Sequence, residues 1–480
     1  MKMKNSILKY AFLTITAGIT MTACSEDFIE TEFFQSIEQR PLVSIEEMES
    51  TVRGQYNAMR AATYYGCDFQ MISEIRSDNM FTNQASGYYN TVANFSMLSN
   101  DTYATGPYTQ MYRTVALANL VINNTSPTPL TWKSSIDPTV ISNKEKYLKG
   151  QSYAARALAF FDALRLYGQE YAGGTTGVVI PTKYNPEALQ ARASVVETRA
   201  QIEADFDMAI TLMAPSLDNF ADKTVLNTIS VKTLMSRYYL YKGDFARVRT
   251  LVNDIVASNK YLVIGRGDYA SSFRSSNAAQ NSMFELAIGG LGDLGTTSIS
   301  YKLLTNAAAT TLLPATSGYG NMKVLTGLRT TYNANDIRLS GISTALVLNG
   351  KYFNTFDNIK LVRYEEALLN GAEAELQAGG TPSKAVTYYN NILSNRITGY
   401  VPVTTVTLND VYLEKRKEFV GEGFGMFDLL RRGLPITQRS TAGVAGTVRP
   451  VGTNLLAFPI PRAEINVPGT PVVQNPGYSN

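Results

Sequence analysis

Three glutamates near the C-terminal end of the chain have a spacing that could support acid–base chemistry. Glu414, Glu418 and Glu422 stand four residues apart, and on a helix this spacing places them on one face. Two carboxylates are what a glycoside hydrolase needs. The same segment carries four cations that could pair with them: Lys415, Arg416, Arg431 and Arg432. Because structural ion networks perturb carboxylates as active sites do, the pattern favours a structural ion network over a catalytic pair.

The composition excludes several kinds of site. The 480 residues contain no histidine, so Ser-His-Asp and Cys-His nucleophilic sites and histidine zinc sites cannot form. A glycosidase with two carboxylates stays open, although no acid pair is marked out by the sequence. The net charge is +3, and the Lys and Arg residues are scattered. Nucleic-acid binding needs a clustered basic surface, so we expect no nucleic-acid partner. We also expect no metal site.

One glycine motif could suggest a cofactor. Gly290, Gly292 and Gly295 formally match the pattern GxGxxG. A dinucleotide site would also need a preceding strand, a helix that opens on the loop, and an acid about 20 residues later. The residues that follow contain no convincing helix start, and no acid lies between Asp293 and Asp336. The motif therefore predicts a flexible loop, and no cofactor is expected.

Cys24, one of two cysteines, lies where an apolar stretch meets a cluster of acids. A lysine-rich start and the short apolar residues 11–19 are typical of a secretory signal peptide. The run is too short to span a bilayer, which takes about 20 residues. Residues 21–24 (MTAC) resemble a bacterial lipobox, although an ordinary signal with an accidental cysteine is the alternative. We predict a signal peptide over residues 1–23 and a lipid anchor on Cys24.

Two loop-rich segments, residues 63–110 and 265–355, are candidates for ligand binding, because long irregular segments in a compact protein tend to carry function. Sugars present apolar C–H faces that suit aromatic rings, while Asp and Asn can hydrogen-bond the hydroxyl groups. The ligand-binding candidates are Asp78, Asn83, Tyr88, Tyr89, Tyr319 and Asn321. Tyr64 and Tyr65 belong to the same aromatic group. The alternative is that each tyrosine packs a loop onto a helix.

Helical periodicity defines the elements that would hold these loops. Apolar residues recur at helical spacing on both sides of Lys242-Gly243-Asp244, which predicts two helices joined by a tight turn. The same design returns around residue 380, with Leu361 and Leu368 on the first helix and Ser383 as an N-cap. The predicted pairs lie near residues 45–122, 147–214, 230–258 and 359–396. The predicted fold is mainly α, with about four tetratricopeptide-like helix pairs, large irregular loop regions and minor β structure.

Four separated segments resemble the SusD/RagB family of Bacteroidetes surface lipoproteins and occur in the family's order. They are YLKGQSYAARALAFFDALRLYG, LVRYEEALLNGAEAE, EKRKEFVGEGFGMFDLLRRG and FPIPRAEINVPGTPVVQNPGY. Tyr319 stands where many relatives carry tryptophan. Glu26, Asp27 and Glu30 resemble the export tag of such lipoproteins. The resemblance implies a single domain over residues 24–480, built as a scaffold of four tetratricopeptide-like pairs with irregular loops on one side.

The resemblance also implies a function. Members bind nutrients without catalysis at the outer face of the outer membrane, and they usually sit over a SusC-like TonB-dependent transporter. The expectation for this chain is a lipid-anchored protein that binds a glycan and delivers it to such a transporter. Peptide capture stays open, and a surface glycoside hydrolase is a less favoured alternative.

Overall fold

The described part of the chain, in a computed structural model, comprises residues 40–185, 187–274, 279–305 and 318–479. Its helices are α1 (Ile45–Met59), α2 (Asp68–Ile75), α3 (Asn90–Asn94), α4 (Thr102–Ile122), α5 (Pro138–Tyr167), α6 (Val195–Leu212), α7 (Thr228–Lys242), α8 (Phe245–Ala257), α9 (Ile299–Leu303), α10 (Thr326–Arg329), α11 (Ile337–Ser340), α12 (Tyr364–Glu375), α13 (Pro382–Ser394), α14 (Leu408–Phe419), α15 (Gly425–Arg431) and α16 (Arg462–Ile465). Its strands are β1 (Met80–Thr82), β2 (Ser282–Leu286), β3 (Met322–Val324), β4 (Ile359–Arg363), β5 (Ile436–Arg439) and β6 (Ala445–Arg449). The prediction of a mainly helical fold with minor β structure is confirmed.

The long helices pack in four pairs. Helix α1 packs against α4, α5 against α6, α7 against α8, and α12 against α13. Contacts between α4 and α5 and between α8 and α12 join successive pairs. The predicted helix-pair scaffold is therefore present, and Leu42–Asn480 form one compact unit.

Local sequence explains where the helices of the third pair begin and end. Asn227 caps the start of α7, since its side chain accepts a hydrogen bond from the Ser230 N–H and its own N–H donates to the Ser230 hydroxyl. Gly243 ends the helix with a φ of 82°, a left-handed conformation that costs glycine little. Asp244 then caps α8 through the Arg247 N–H. The predicted tight turn at these residues is confirmed.

The fourth pair differs from the prediction in two details. Leu361 lies in β4, because this segment pairs in antiparallel register with β2, Ile359 opposite Leu286. Helix α12 begins only at Tyr364. Ser383 is not the N-cap of α13, since the cap position is Thr381 and Pro382 is the first helical residue. Proline suits that position because its fixed φ is helical and its missing N–H would be unpaired there.

The described residues form three small antiparallel sheets: β1 with β3, β2 with β4, and β5 with β6. The first two connect segments distant in sequence, whereas β5 and β6 are neighbours along the chain. The β1–β3 sheet joins the two loop-rich segments. No helix in the described residues is both long and apolar enough to cross a membrane. The predicted signal peptide (1–23), Cys24 and the acids Glu26, Asp27 and Glu30 lie outside the described residues.

Candidate ligand-binding cleft

Strands β1 and β3 bring the two loop-rich segments together. Met80 lies opposite Val324 and Thr82 opposite Met322, and the Asn83 N–H donates to the Asn321 carbonyl at 2.9 Å. The residues that follow β1 are thereby placed beside those that precede β3. This pairing positions the aromatic side chains of the two loops.

Three tyrosines from the two segments meet there. The ring centroids of Tyr88 and Tyr319 are 5.1 Å apart, and those of Tyr301 and Tyr319 are 4.9 Å apart. The Tyr319 N–H also donates to the Tyr301 carbonyl at 2.8 Å. Tyr319 is 42% exposed, so an apolar ring face is available at the surface. The neighbouring Tyr88 hydroxyl raises the pKa of Tyr319.

Lys302 places a positive charge against this group. Its Nζ lies 3.1 Å from the centroid of the Tyr88 ring and 5.0 Å from that of Tyr319, as in a cation–π interaction. The same ammonium donates to the Thr296 carbonyl at 2.9 Å. Burial lowers the pKa of Lys302. The side chain is held in place without a carboxylate in direct contact in the described part of the chain.

Tyr88 and Lys302 line an open cleft of about 510 Å³. This volume lies in the usual range of ligand sites, about 300–1,000 Å³. The polar lining residues include Asp68, Asn90, Asn100, Asp101, Thr102 and Tyr103. An aromatic wall with carboxylate, amide, hydroxyl and ammonium groups can stack a sugar ring and hydrogen-bond its hydroxyl groups.

Asp68 lies partly exposed at the inner side of the cleft. The Tyr89 hydroxyl donates to its Oδ1 at 2.7 Å, and the Tyr89 N–H donates to the Tyr103 hydroxyl at 2.9 Å. The surrounding protein desolvates the carboxyl and raises its pKa to about 6, although Tyr89 and Lys302 oppose the shift. Among the described residues, no group of three or more Cys, Asp or Glu side chains is arranged to hold a metal ion.

Comparison with known proteins agrees with this architecture. A family model described as "Starch-binding associating with outer membrane" matches residues 34–240, and the SusD family model matches residues 349–478. The two ranges together take up more than two thirds of the chain. The chain belongs to the SusD/RagB family. No curated protein matches the sequence.

Solved structures of SusD relatives share the fold. A SusD superfamily protein from Bacteroides vulgatus ATCC 8482 has a TM-score of 0.78 at 23% identity, over 91% of this chain and all (100%) of its own. Surface glycan-binding protein A from Bacteroides fluxus has a TM-score of 0.72 at 18% identity, over 90% of this chain and 99% of its own. A laminarin-binding SusD-like protein has a TM-score of 0.70 at 19% identity, over 90% and 99% respectively. At these identities the likeness establishes the fold.

In this SusD-family chain the six predicted ligand residues separate into four groups. Tyr88 lines the cleft and Tyr319 packs against it. Tyr89 and Asn321 are fully buried, so neither side chain reaches the surface; Tyr89 supports Asp68 from below. Asn83 accepts the Ala85 N–H at 3.1 Å and thereby stabilises its own turn.

The sixth predicted residue, Asp78, lies outside this cleft. The Arg439 guanidinium donates to its Oδ1 at 2.5 Å, and Asp78 lines a separate small cavity with Tyr412 and Arg432. The buried tyrosines Tyr64 and Tyr65 also lie elsewhere, since both hydroxyl groups donate to Asp162. For these tyrosines the packing alternative is correct.

Sequence reasoning missed three charged residues of the cleft: Lys302, Asp68 and Asp101. Lys302 follows Tyr301 on the short helix α9, whose five residues give too little periodicity to read. Asp68 occupies the first position of α2 and looks like an ordinary acid in the first turn of a helix. The available signal was a charged residue close in sequence to a tyrosine: Lys302 directly follows Tyr301, and Asp68 lies three residues after Tyr65.

The three glutamates form an ion network instead of a catalytic pair. Glu418 Oε1 accepts from Arg363 at 2.9 Å and from Arg396 at 3.0 Å, and its Oε2 accepts from Arg338 at 2.9 Å and from Arg396 at 3.0 Å. Despite desolvation, these three guanidinium groups hold the pKa of Glu418 well below its usual range. The interpretation as a structural network is supported by this geometry.

All four cations that were predicted to pair with these glutamates contact other groups. Lys415 and Arg431 contact Glu373, Arg416 donates to the Asn79 side chain at 2.9 Å, and Arg432 stacks on Tyr412. Glu422 lies beyond α14, which ends at Phe419, so the three glutamates do not share one helical face. The glycine motif at 290–295 forms short 3₁₀ turns, as expected for a loop.

Proposed function

We propose that this protein is a cell-surface lipoprotein that binds a nutrient glycan in the cleft beside Tyr88 and delivers it to a SusC-like TonB-dependent transporter. The observation that carries the proposal is the juxtaposition of Tyr88, Tyr319 and Lys302 at the edge of an open cleft of about 510 Å³. Relatives of the same fold include proteins described as glycan-binding and laminarin-binding.

The chemistry of the lining supports a sugar ligand. Tyr319 offers an exposed ring, and aromatic stacking contributes about 0.5–1.5 kcal/mol per pair beyond burial. Asp68 and Asp101 can accept hydrogen bonds from sugar hydroxyl groups, while the Lys302 ammonium can donate. Binding without cleavage is proposed because relatives of the same fold are described as glycan-binding and laminarin-binding proteins.

Anchoring and delivery complete the proposal. Lipidation of Cys24 would hold the protein at the outer membrane, and stable anchoring takes two or more acyl chains or a second membrane signal. A lipid-anchored binder cannot move its ligand inward, so a barrel transporter must supply the passage. Tethering beside that transporter raises the local ligand concentration. A stable contact of this kind should bury more than about 1,200 Å² in total.

The direct test is glycan binding by the full chain purified in detergent. Affinity gels with starch and with laminarin measure retardation of the wild type and of Tyr88→Ala and Tyr319→Ala. Each variant is expected to lose roughly two- to tenfold in affinity, from the loss of one stacking contact.

A matched control is available in Tyr412→Ala. Tyr412 also carries a cation over its ring, with Arg432 Cζ 3.3 Å from the centroid, but it lies outside the cleft. We expect this variant to bind as the wild type does. Equal losses in Tyr412→Ala and Tyr88→Ala would contradict the cleft as the binding site, and release of reducing ends by the wild type would identify a hydrolase.

Delivery is tested separately. Gently solubilised membranes should yield the protein together with a large TonB-dependent barrel, whereas Cys24→Ala should leave it uncleaved or free in the periplasm. Recovery of the native protein alone, with glycan uptake unchanged by its deletion, would refute the role as a transporter partner.

A further inference from the structure

Buried positive charge is paired almost everywhere in the described residues. Ten of the twelve buried Lys and Arg side chains there have a carboxylate oxygen within 4.0 Å. The two exceptions are Lys302 and Arg76. Lys302 belongs to the cleft already described, so Arg76 is the buried cation whose lack of a partner is unexplained.

Arg76 is 1% exposed and is held between two aromatic rings. Its Cζ lies 3.9 Å from the centroid of Phe95 and 4.6 Å from that of Phe458. Nε donates to the Val92 carbonyl at 3.0 Å and Nη1 to the Leu455 carbonyl at 3.3 Å. Its Nη2 is buried and has no hydrogen-bond acceptor among the described residues. One edge of the guanidinium is thus left without a partner.

A second arginine stacks on the same ring. Arg449, at the end of β6, has its Cζ 4.2 Å from the Phe95 centroid. Its Nε is likewise buried without an acceptor, and no carboxylate of the described chain forms an ion pair with it. The side chain as a whole is only partly buried, so solutes can approach it from water. Phe95 has a φ of 54°, a strained backbone for a non-glycine residue, and its ring contacts both guanidinium groups.

The positive charges of Arg76 and Arg449 beside Phe95 are not balanced by a nearby carboxylate in the described residues that is free to pair with them. Desolvation lowers the pKa of Arg76 to about 10, and the positive charge of Arg449 adds to that effect. Asp101 is the carboxylate whose charge reaches Arg76, but it caps α4 by accepting the Tyr103 N–H at 2.8 Å. A buried charge without a partner is strongly unfavourable. Two adjacent arginines, each with a buried N–H that lacks an acceptor, therefore call for a negative group from outside the chain.

We propose that Arg76 and Arg449 form a binding site for a small oxyanion, which the two guanidinium groups hold through Nη2 of Arg76 and Nε of Arg449. Guanidinium groups match the geometry of sulfate, phosphate and carboxylate oxygens and bind them through charge-assisted hydrogen bonds. The oxyanion can be a free inorganic ion or the acidic group of a sugar. The site is independent of the Tyr88 cleft and of the proposed glycan transport.

Thermal unfolding of the full chain tests the site. Sodium sulfate, sodium phosphate, sodium glucuronate and uncharged glucose are titrated at constant ionic strength, adjusted with sodium chloride. An anion that binds only the folded state raises the unfolding temperature along a saturating curve. We expect saturation with at least one of the three oxyanions and no effect of glucose. A response to sulfate or phosphate alone identifies a free ion as the source, and a response to glucuronate identifies an acidic sugar.

Two variants locate the effect. Because Arg449 is partly exposed, the Arg449→Gln variant should fold. Its affinity for the oxyanion should fall about tenfold or more, because one charged hydrogen bond is lost. Arg432→Gln is the control, since Arg432 also stacks on an aromatic ring, Tyr412, outside the site. A linear rise that is the same in the wild type and Arg449→Gln would be a general salt effect and would overturn the proposal. So would a selenate-soaked crystal without an anomalous peak beside Arg76 and Arg449.

Discussion

The Glu418 network and the Tyr88 cleft differ in the partners that they provide for a buried charge. Glu418 is fully buried, and both of its oxygens accept hydrogen bonds from arginines. Lys302, 2% exposed, contacts the Thr296 carbonyl and the rings of Tyr88 and Tyr319, and no carboxylate of the described residues contacts it directly. The network satisfies its charges internally, whereas the cleft leaves hydrogen-bonding capacity for a ligand.

Whether charged groups find partners within the protein distinguishes the structural network from the candidate binding cleft better than the types of residue do. Both regions contain acids, cations and aromatic rings. In the network Arg338, Arg363 and Arg396 join α11, β4 and the end of α13 to α14, so the charges fix tertiary structure. In the cleft the charged groups come from loops and from short helices. Substitutions should therefore change stability in the network and ligand affinity in the cleft.

The largest effect is expected for Glu418→Gln. The change removes one charged acceptor from each of three buried guanidinium groups at once, and breaking a buried pair costs about 3–5 kcal/mol. Urea unfolding of the full chain measures the loss. Asp254→Asn is the control, because the exposed Lys232–Asp254 pair should contribute no more than about 1 kcal/mol. Equal losses in the two variants would contradict the assignment of Glu418 as the centre of the network.

Two buried lysines give the next test. The Lys351 ammonium contacts Glu422 at 2.6 Å and the Glu418 carbonyl at 2.6 Å. Lys351→Met removes one of the two cations that contact the buried Glu422 carboxylate, which keeps Arg363, and should lower the unfolding free energy by about 2 kcal/mol. Lys302→Met strands no carboxylate in direct contact and should cost about 1 kcal/mol or less, while it weakens glycan binding. If Lys302→Met destabilises the chain as much as Lys351→Met does, the cleft is a structural charge site like the network.

Several features that depend on residues close in sequence were predicted correctly, whereas contacts between residues far apart in sequence were not. Helix periods and the turn at Gly243 are local, and these predictions are confirmed. The partners of Glu418 come from residues 338, 363 and 396, whose approach depends on β4 and on the packing of the fourth helix pair. The nearby Lys415 and Arg416 were therefore the wrong partners, although the type of interaction was right.

The cleft could be predicted only in part for the same reason. Tyr88 and Tyr319 are more than 200 residues apart, and the short β1–β3 pairing brings them together. Tyr89 follows Tyr88 directly, yet the backbone turns its ring into the core, with a φ of 61° at Tyr89. No composition rule distinguishes the exposed ring from the buried one.

Tyr89 and Tyr319 allow a smaller test. Tyr89→Phe removes the hydroxyl that donates to Asp68 at 2.7 Å, and a hydrogen bond to a charged group contributes about 1.5–3 kcal/mol. Tyr319→Phe removes a hydroxyl on a side chain that is 42% exposed and should change stability by less than about 0.5 kcal/mol. Urea unfolding compares the variants at pH 7. A larger loss in Tyr319→Phe would reverse the assigned roles.

The smallest effect concerns the protonation of Asp68. Burial outweighs Tyr89 and Lys302 and raises the pKa of Asp68 in the folded chain to about 6, above the value of about 3.9 in an unfolded chain. Between these values the folded state binds more protons than the unfolded state, so this group makes the protein more stable as the pH falls from 7 to 5.

Asp68→Asn cannot titrate and isolates this contribution. The stability of the wild type relative to Asp68→Asn should therefore rise by about 1 kcal/mol between pH 7 and pH 5. Urea unfolding at the two values measures it, and the variant corrects for every other titrating group. Glu418 has the opposite sign, because three arginines lower its pKa. A relative stability that falls with the pH would show that Lys302 and Tyr89 stabilise the Asp68 carboxylate as the arginines stabilise Glu418, and the contrast between cleft and network would not extend to this acid.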